Sequence, residues 1–428
     1  MTLDAQASPE SGRRCPALPD FNPLTTAGGL DLLPMLTRAR QDAPVFYMPA
    51  FGMWCVTRLQ DAREVLRDHK RFSTEPYVNG QNVPEEIATI MGPDYRGPIT
   101  PDTLLPSSPP KHTRVRRAFQ SGWSASNIQR YEDDIRAYAN ELIDGFAGEK
   151  HADLVDDYAG PFAVGVVSDL LGLPKEWRAR FRDYTRALFR GPLATSASDN
   201  EQQLLADWHT VVDLDRGFAE YVELRRREPA DDLTTDTLRS NTDDEGRALL
   251  TDQEIVRNVQ GIAIAGSDTT VNLIGHAVYL LLTHGQWSDL EQDRSLIPNA
   301  VEEVLRVRGG ITGGLFRKTL TEVEIGGVTI PEGSLLFVSI PSSNHDEATF
   351  TDPGTFHVHR QNAKDHLSFG RGNHLCIGAP LARLEAIVSL QCFLDRLPGL
   401  RLPDPGAPLV YEPNMMIAKL EELPVEWD

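Results

Sequence analysis

The longest apolar stretch of the sequence runs from Val259 to Leu282, and it carries Asp268, Asn272 and His276 in its interior. About 20 apolar residues are enough to cross a bilayer. An acid, an amide and an imidazole facing lipid would be costly, however. The stretch is therefore expected to be a buried helix of a soluble protein. Its start is marked by Thr251 and Glu254, whose spacing is that of a capping box. Polar residues in the middle of such a helix need a reason, and Ala265-Gly-Ser-Asp-Thr-Thr270 is the densest group of them. A bland reason exists: Thr269 can bond back to the carbonyl of Ala265, which bends a helix. The same bend would open a groove in the helix.

The rest of the chain reads as mostly helical. A hairpin is expected over Val45 to Thr57, a short helix over Asp61 to Asp68, and a long loop region over Ser73 to Pro110. Helices follow from Lys111 onward, with one over Pro298 to Val307 and a last one over Ala379 to Leu394. Short strands are expected over Val323 to Val338 and near the C-terminus. The first 20 residues read as a flexible arm. The length of 428 residues alone would allow two or three domains.

Charge and cysteines narrow the function. With 62 acidic against 42 basic side chains the net charge is −20, which argues against nucleic acid as a partner. No secretory signal precedes the chain, no membrane segment is expected, and none of Cys15, Cys55, Cys376 and Cys392 forms a CxxC pair. A reducing cytoplasm suits that pattern better than a disulfide framework. Cys55 and Cys392 fall in apolar patterns and read as buried thiols.

Cys376 differs. It lies between the Gly-rich loop Phe369 to Asn373 and an amphipathic helix starting near Ala379. The free N–H groups at a helix start favour thiolate over thiol, and Gly370, Gly372 and Gly378 would let a flat macrocycle approach the backbone. Three other readings stay open at this point. The thiol could be a core residue. It could join His357, His359, His366 and His374 at zinc, although no second cysteine is near. The glycines could bind a dinucleotide, although the third glycine position is Leu375.

Phe369 to Gly378, F-G-R-G-N-H-L-C-I-G, resembles the haem-binding loop of the bacterial cytochrome P450 family at every fixed position. The resemblance extends from about Phe46 to the C-terminus. It implies a mainly α fold with a minor β part, the triangular prism of the P450s. In that fold haem lies between the long central helix and the helix following the Cys loop, within a single domain over residues 21–428. It implies haem b (iron protoporphyrin IX) with Cys376 as the axial ligand of iron, and Ala265, Phe369, Gly370 and Gly378 beside the macrocycle. His112, Arg116, Arg317 and His374 match positions that hold the haem propionates. Asp268 and Thr269 match the pair that handles oxygen and protons. Glu303, Arg306 and Arg360 match a structural charge network.

The family implies a monooxygenase acting on a small organic molecule, with oxidative coupling as the alternative reaction. Electrons are expected from a ferredoxin and ferredoxin reductase, since the 428 residues are used up by the haem domain. A monomer is expected. By analogy the substrate pocket includes Gly261, Ile262, Ala265, Gly313, Leu315 and Met416. Lys111, Arg114 and Arg117 are expected to form a basic patch for an acidic redox partner. Relatives often carry proline after the position of Arg306, where this chain has Gly309-Gly310 and Gly313-Gly314. That departure suggests a roomy pocket for a bulky secondary metabolite.

Overall fold

The computed structural model describes residues 17–18, 20–24, 30–75, 83–92, 95, 97, 100–190 and 201–428. Helices dominate, and a five-stranded sheet stands at one edge. The spatial order of its strands is Val45–Met48, Met53–Val56, Leu335–Ser339, Gly314–Thr319 and Phe72–Ser73. The first two form the expected hairpin, pairing Phe46 with Cys55 and Tyr47 with Trp54. Met53–Val56 then runs parallel to Leu335–Ser339, bringing Cys55 opposite Phe337. Four of the five residues of Leu335–Ser339 are buried, as a central strand covered on both faces requires. Of the arm expected over residues 1–20, residues 1–16, including Cys15, and residue 19 lie outside the described residues. Its end is docked: Leu18 donates its N–H to the Tyr47 carbonyl at 3.1 Å.

The apolar stretch is buried at the centre, as expected, but as two helices, Asp252–Ala265 and Asp268–Thr283. The capping box forms as read: the Thr251 hydroxyl accepts from the Glu254 N–H, and the Glu254 carboxylate accepts from the Thr251 N–H at 2.8 Å. The break at Gly266-Ser267 follows from competition by hydroxyls. Ser267 Oγ donates to the Ala263 carbonyl at 3.0 Å and Thr269 Oγ1 to the Ala265 carbonyl at 2.7 Å. The Thr270 N–H meanwhile turns to the Ser267 carbonyl. Helix Ala379–Arg396 packs on Glu132–Asp144, Asp268–Thr283 and Ile297–Arg308, and these surfaces share one large apolar core. Cys392 and Cys55 are buried thiols, as read from the sequence. Among the described residues of the loop expected over Ser73 to Pro110 there is a helix, Glu85–Met91, whose Ile87 packs on Trp208 and Val212. Among the described residues no helix is long and apolar enough to cross a membrane.

Candidate active site

Two layers meet at Cys376. Behind it lies a rigid charge network. Arg306 Nε and Nη2 donate to the two oxygens of Glu303 at 2.7 and 2.8 Å, and both residues are fully buried. Arg360 Nε donates to Glu303 Oε1 at 2.9 Å. The remaining donors of the two arginines take backbone carbonyls, including those of Asn344, Pro353 and Thr355 for Arg306 and Thr351 for Arg360. Three residues read as a network from sequence are thus brought together, with the charge of each met by hydrogen bonds.

The loop in front is held by its own backbone. The Cys376 N–H donates to the Phe369 carbonyl at 2.9 Å, and the Gly370 N–H to the Leu367 carbonyl at 2.8 Å. Gly370 and Gly372 both have positive φ, 67° and 73°, which L side chains rarely adopt. At Gly372 a Cβ would also stand 2.8 Å from the Leu66 carbonyl. Burial pushes the Cys376 thiol up. Against it work the Gly378 and Ala379 N–H groups, which hydrogen-bond the sulfur at the helix start, and the charges of Arg116 and Arg383. Although protein surrounds it this closely, the residue is open to solvent-sized contact. A side chain with both properties lies on the wall of an internal hollow. Ala265, exposed at the end of helix Asp252–Ala265 directly after the buried Ile262, Ala263 and Ile264, is another wall residue.

The four scattered residues His112, Arg116, Arg317 and His374 converge. The rings of His112 and His374 lie 4.1 Å apart. Burial holds His112 down to about 4, with Arg116 adding to the effect. His374 is held at about 2 by burial, then by His112, Arg317 and Arg116. Arg116 Nη1 donates to the carbonyls of Leu375 at 2.8 Å and Asn373 at 3.1 Å, so it also clamps the cysteine loop. His112 Nε2 is buried without a hydrogen-bond partner. A buried orphan nitrogen among cationic groups fits an anionic ligand. The sulfur nearby, flanked by glycine, fits the ligation of iron. These residues fit haem with its two carboxylates. They do not fit zinc: His374 stacks on His112, and His366 lies 3.3 Å from Glu302.

Across the hollow, Thr269 makes the bland bond to Ala265, and the bend it accompanies is real. Asp268 Oδ1 lies 3.7 Å from Lys419 Nζ. One polar residue here was missed from sequence. Glu385, on the helix after Cys376, is 1% exposed, and burial raises its carboxyl well above the usual range. Thr270 donates to its Oε2 at 3.2 Å, and its Oε1 has no partner. It is a buried, half-satisfied acid beside the helix break, and its burial favours the neutral form. Its sequence signal, a lone glutamate inside an apolar helix pattern, is weak.

Two expectations are corrected. Lys111, Arg114 and Arg117 do not form a free basic patch. Lys111 pairs with Asp102 at 2.6 Å, Arg114 with Glu254, and Arg117 with Asp244 at 2.5 Å. The glycines after Arg306 do not make room either. A Cβ on Gly309 would meet the Leu305 carbonyl at 2.8 Å, one on Gly310 the Thr269 carbonyl at 2.6 Å, and one on Gly313 the Met415 carbonyl at 2.0 Å. On Gly314 it would meet the Phe337 ring at 2.6 Å. They are points of close backbone packing. Gly261 is the opposite case, with nothing within 4 Å of a Cβ there, one turn from Ala265. Ile262 is buried, while Leu315 and Met416 are half-buried; a Cβ on Gly370 would touch Leu315 at 3.6 Å.

The model of the family described as cytochrome P450 matches residues 285–422, the part carrying Glu303, Arg306, Arg360 and Cys376. Cytochrome P450 107B1 of Saccharopolyspora erythraea is 34% identical over 376 residues, covering 87% of this chain and 88% of that protein. This chain belongs to the cytochrome P450 family. Similarity to the 6-deoxyerythronolide B hydroxylase of the same organism is 33% over 393 residues, covering 91% and 94% of the two chains. Among solved structures, the P450 haem domain of Tepidiphilus thermophilus superimposes with a TM-score of 0.86 at 30% identity, covering 96% of this chain and 97% of that one. As a P450 the protein is an oxidoreductase that uses haem iron, a monooxygenase acting on small molecules.

Proposed function

We propose that Cys376 is the axial ligand of haem b, and that the protein activates dioxygen there to oxidise a bulky secondary metabolite. The observation carrying this reading is the sulfur at the wall of the hollow, hydrogen-bonded by the Gly378 and Ala379 N–H groups. His112, Arg116, Arg317 and His374 would hold the propionates, with His112 Nε2 as a donor still to be used. Phe369, Gly370 and Gly378 would face the macrocycle on the sulfur side and Ala265 on the other. When bound, haem iron supplies oxygen activation, and a thiolate ligand favours O–O cleavage.

The chain's own task is protons and shape. Thr269 Oγ1 commits its hydrogen to the Ala265 carbonyl, so its lone pairs are free to accept from a water in the bend. Asp268 connects that bend to Lys419. Glu385, whose burial favours its neutral form, lies on the far side of the break. Gly261, Ile262, Ala265, Gly313, Leu315 and Met416 would border the substrate, with Gly261 supplying the room that the other glycines do not. The named activity of the 6-deoxyerythronolide B hydroxylase relative supports a substrate of this kind.

Electrons would come from a ferredoxin and its reductase. The docking face would lie under the cysteine loop, where Arg371 is exposed, and not on the ion-paired helix Lys111–Gln120. We further place the protein in the cytoplasm, as a monomer with residues 21–428 in one haem domain. A spin-state titration against a library of macrolides, polyketides and smaller terpenes tests the substrate class. Products made under labelled dioxygen then decide the reaction: incorporated label supports oxygenation, and unlabelled, dehydrogenatively joined product supports coupling.

A further inference from the structure

We propose that Glu302 and Arg383, paired and stacked on Phe369 behind the Cys376 loop, bias the reduction potential of the haem iron in opposite directions and so hold each other's effect in balance. The inference rests on the reading of Cys376 as iron ligand. Arg383 lies one turn into the helix that starts after Cys376, and its guanidinium sits 4.5 Å over the centre of the Phe369 ring. Phe369 in turn takes the Cys376 N–H on its carbonyl. The arginine is clamped by one acid: Nε donates to Glu302 Oε1 at 2.5 Å and Nη2 to Oε2 at 3.1 Å. His366 closes the group, 3.3 Å from the same carboxylate and tilted against Phe369 with ring centres 5.9 Å apart.

The charges matter beyond packing. Arg383 is among the groups that stabilise negative charge on the Cys376 sulfur. Burial of Glu302 opposes its ionisation, but His366 beside it and the two hydrogen bonds from Arg383 win and hold its carboxyl at about 2. A full negative charge therefore stands behind a full positive one, in surroundings only partly open to water. Each alone would bias the iron. The positive charge favours the added electron, the negative charge disfavours it, and together they nearly cancel. Glu302 adjoins Glu303, which belongs to the rigid network, so its backbone cannot drift to relax the pair. The step concerned is the reduction of ferric to ferrous iron by one electron from the external donor, with no bond made or broken in the protein.

The test is spectroelectrochemistry on the haem-loaded full chain. Glu302→Gln is expected to raise the potential and Arg383→Gln to lower it. Each shift is about tenfold in the one-electron equilibrium constant, or about 59 mV, and the double variant returns towards the parent. Arg383→Lys keeps the charge and keeps most of the potential. Shifts of the same sign in both single variants, or none in either, overturn the proposal. So does loss of haem from the charge-removing variants with retention in Glu302→Asp and Arg383→Lys, because the pair would then hold the loop and not bias the iron. The carbon monoxide band of the reduced parent protein judges the Cys376 reading separately.

Discussion

The two sides of the hollow are built on opposite terms. Behind Cys376, Glu303, Arg306 and Arg360 leave hardly a donor or acceptor unused, and the loop in front is pinned by its own amides and by Arg116. Across from it the central helix is interrupted, Ala265 is bare, Glu385 keeps an oxygen without a partner, and Gly261 borders open space. The satisfied side can hold a sulfur still. The unsatisfied side has polar groups in reserve for a ligand or water that comes and goes. A buried orphan costs about 1–3 kcal/mol; the Glu303 network avoids that cost, while Glu385 beside the helix break carries it, as does His112 Nε2 until a ligand takes it.

The sharpest way to break the contrast is to open the satisfied side. Arg306→Ala strands the Glu303 carboxylate in the core and is expected to cost about 3–5 kcal/mol. Denaturant unfolding should register the loss, with haem lost as well. A variant as stable as the parent would mean that the network is ornament.

Acid comes next. His112 and His374 are held below their ordinary value of 6.5, so the unfolded chain binds more protons than the folded one beneath that value. Stability then falls as pH drops from about 6.5 towards 4, by about 3 kcal/mol for His112 alone. Carboxylates placed beside these rings raise their proton affinity, so the haem-loaded protein should lose less than the haem-free protein over the same range. Unfolding midpoints of both forms against pH check the sign.

On the other side, Thr269→Ala should leave the folded protein and its carbon monoxide spectrum intact while product formation falls by about 100-fold. A loss of stability with unchanged turnover would assign Thr269 to the bend alone. The smallest effects separate the glycines. Gly313→Ala forces a Cβ against a backbone carbonyl and should cost about 1–3 kcal/mol. Gly261→Ala should change stability by less than about 0.5 kcal/mol and be felt only in the binding of the largest substrates.

How legible these features were in the sequence follows the same divide. The loop around Cys376 could be read because ten consecutive residues carry it. The Thr251 cap and the Val45 hairpin are likewise local. The convergence of His112, Arg116, Arg317 and His374 spans 262 residues, and only the family resemblance joined them. Glu385 was missed because its partner Thr270 is 115 residues away, so its burial had no local mark. The basic patch was misjudged for the same reason, the acid that meets Arg114 being 140 residues away. One long helix was expected where there are two, because hydrophobic periodicity does not record which carbonyls serine and threonine hydroxyls will take. The glycines misled because absence of a side chain reads equally as room or as contact; only the neighbours decide.

The direct measurement is the absorption spectrum of the reduced, haem-loaded protein under carbon monoxide. A strongly red-shifted Soret band in the parent, abolished in a folded, haem-loaded Cys376→Ser variant, is the predicted result. An unshifted band in the parent, or a shifted band that survives the serine, would contradict ligation of iron by Cys376.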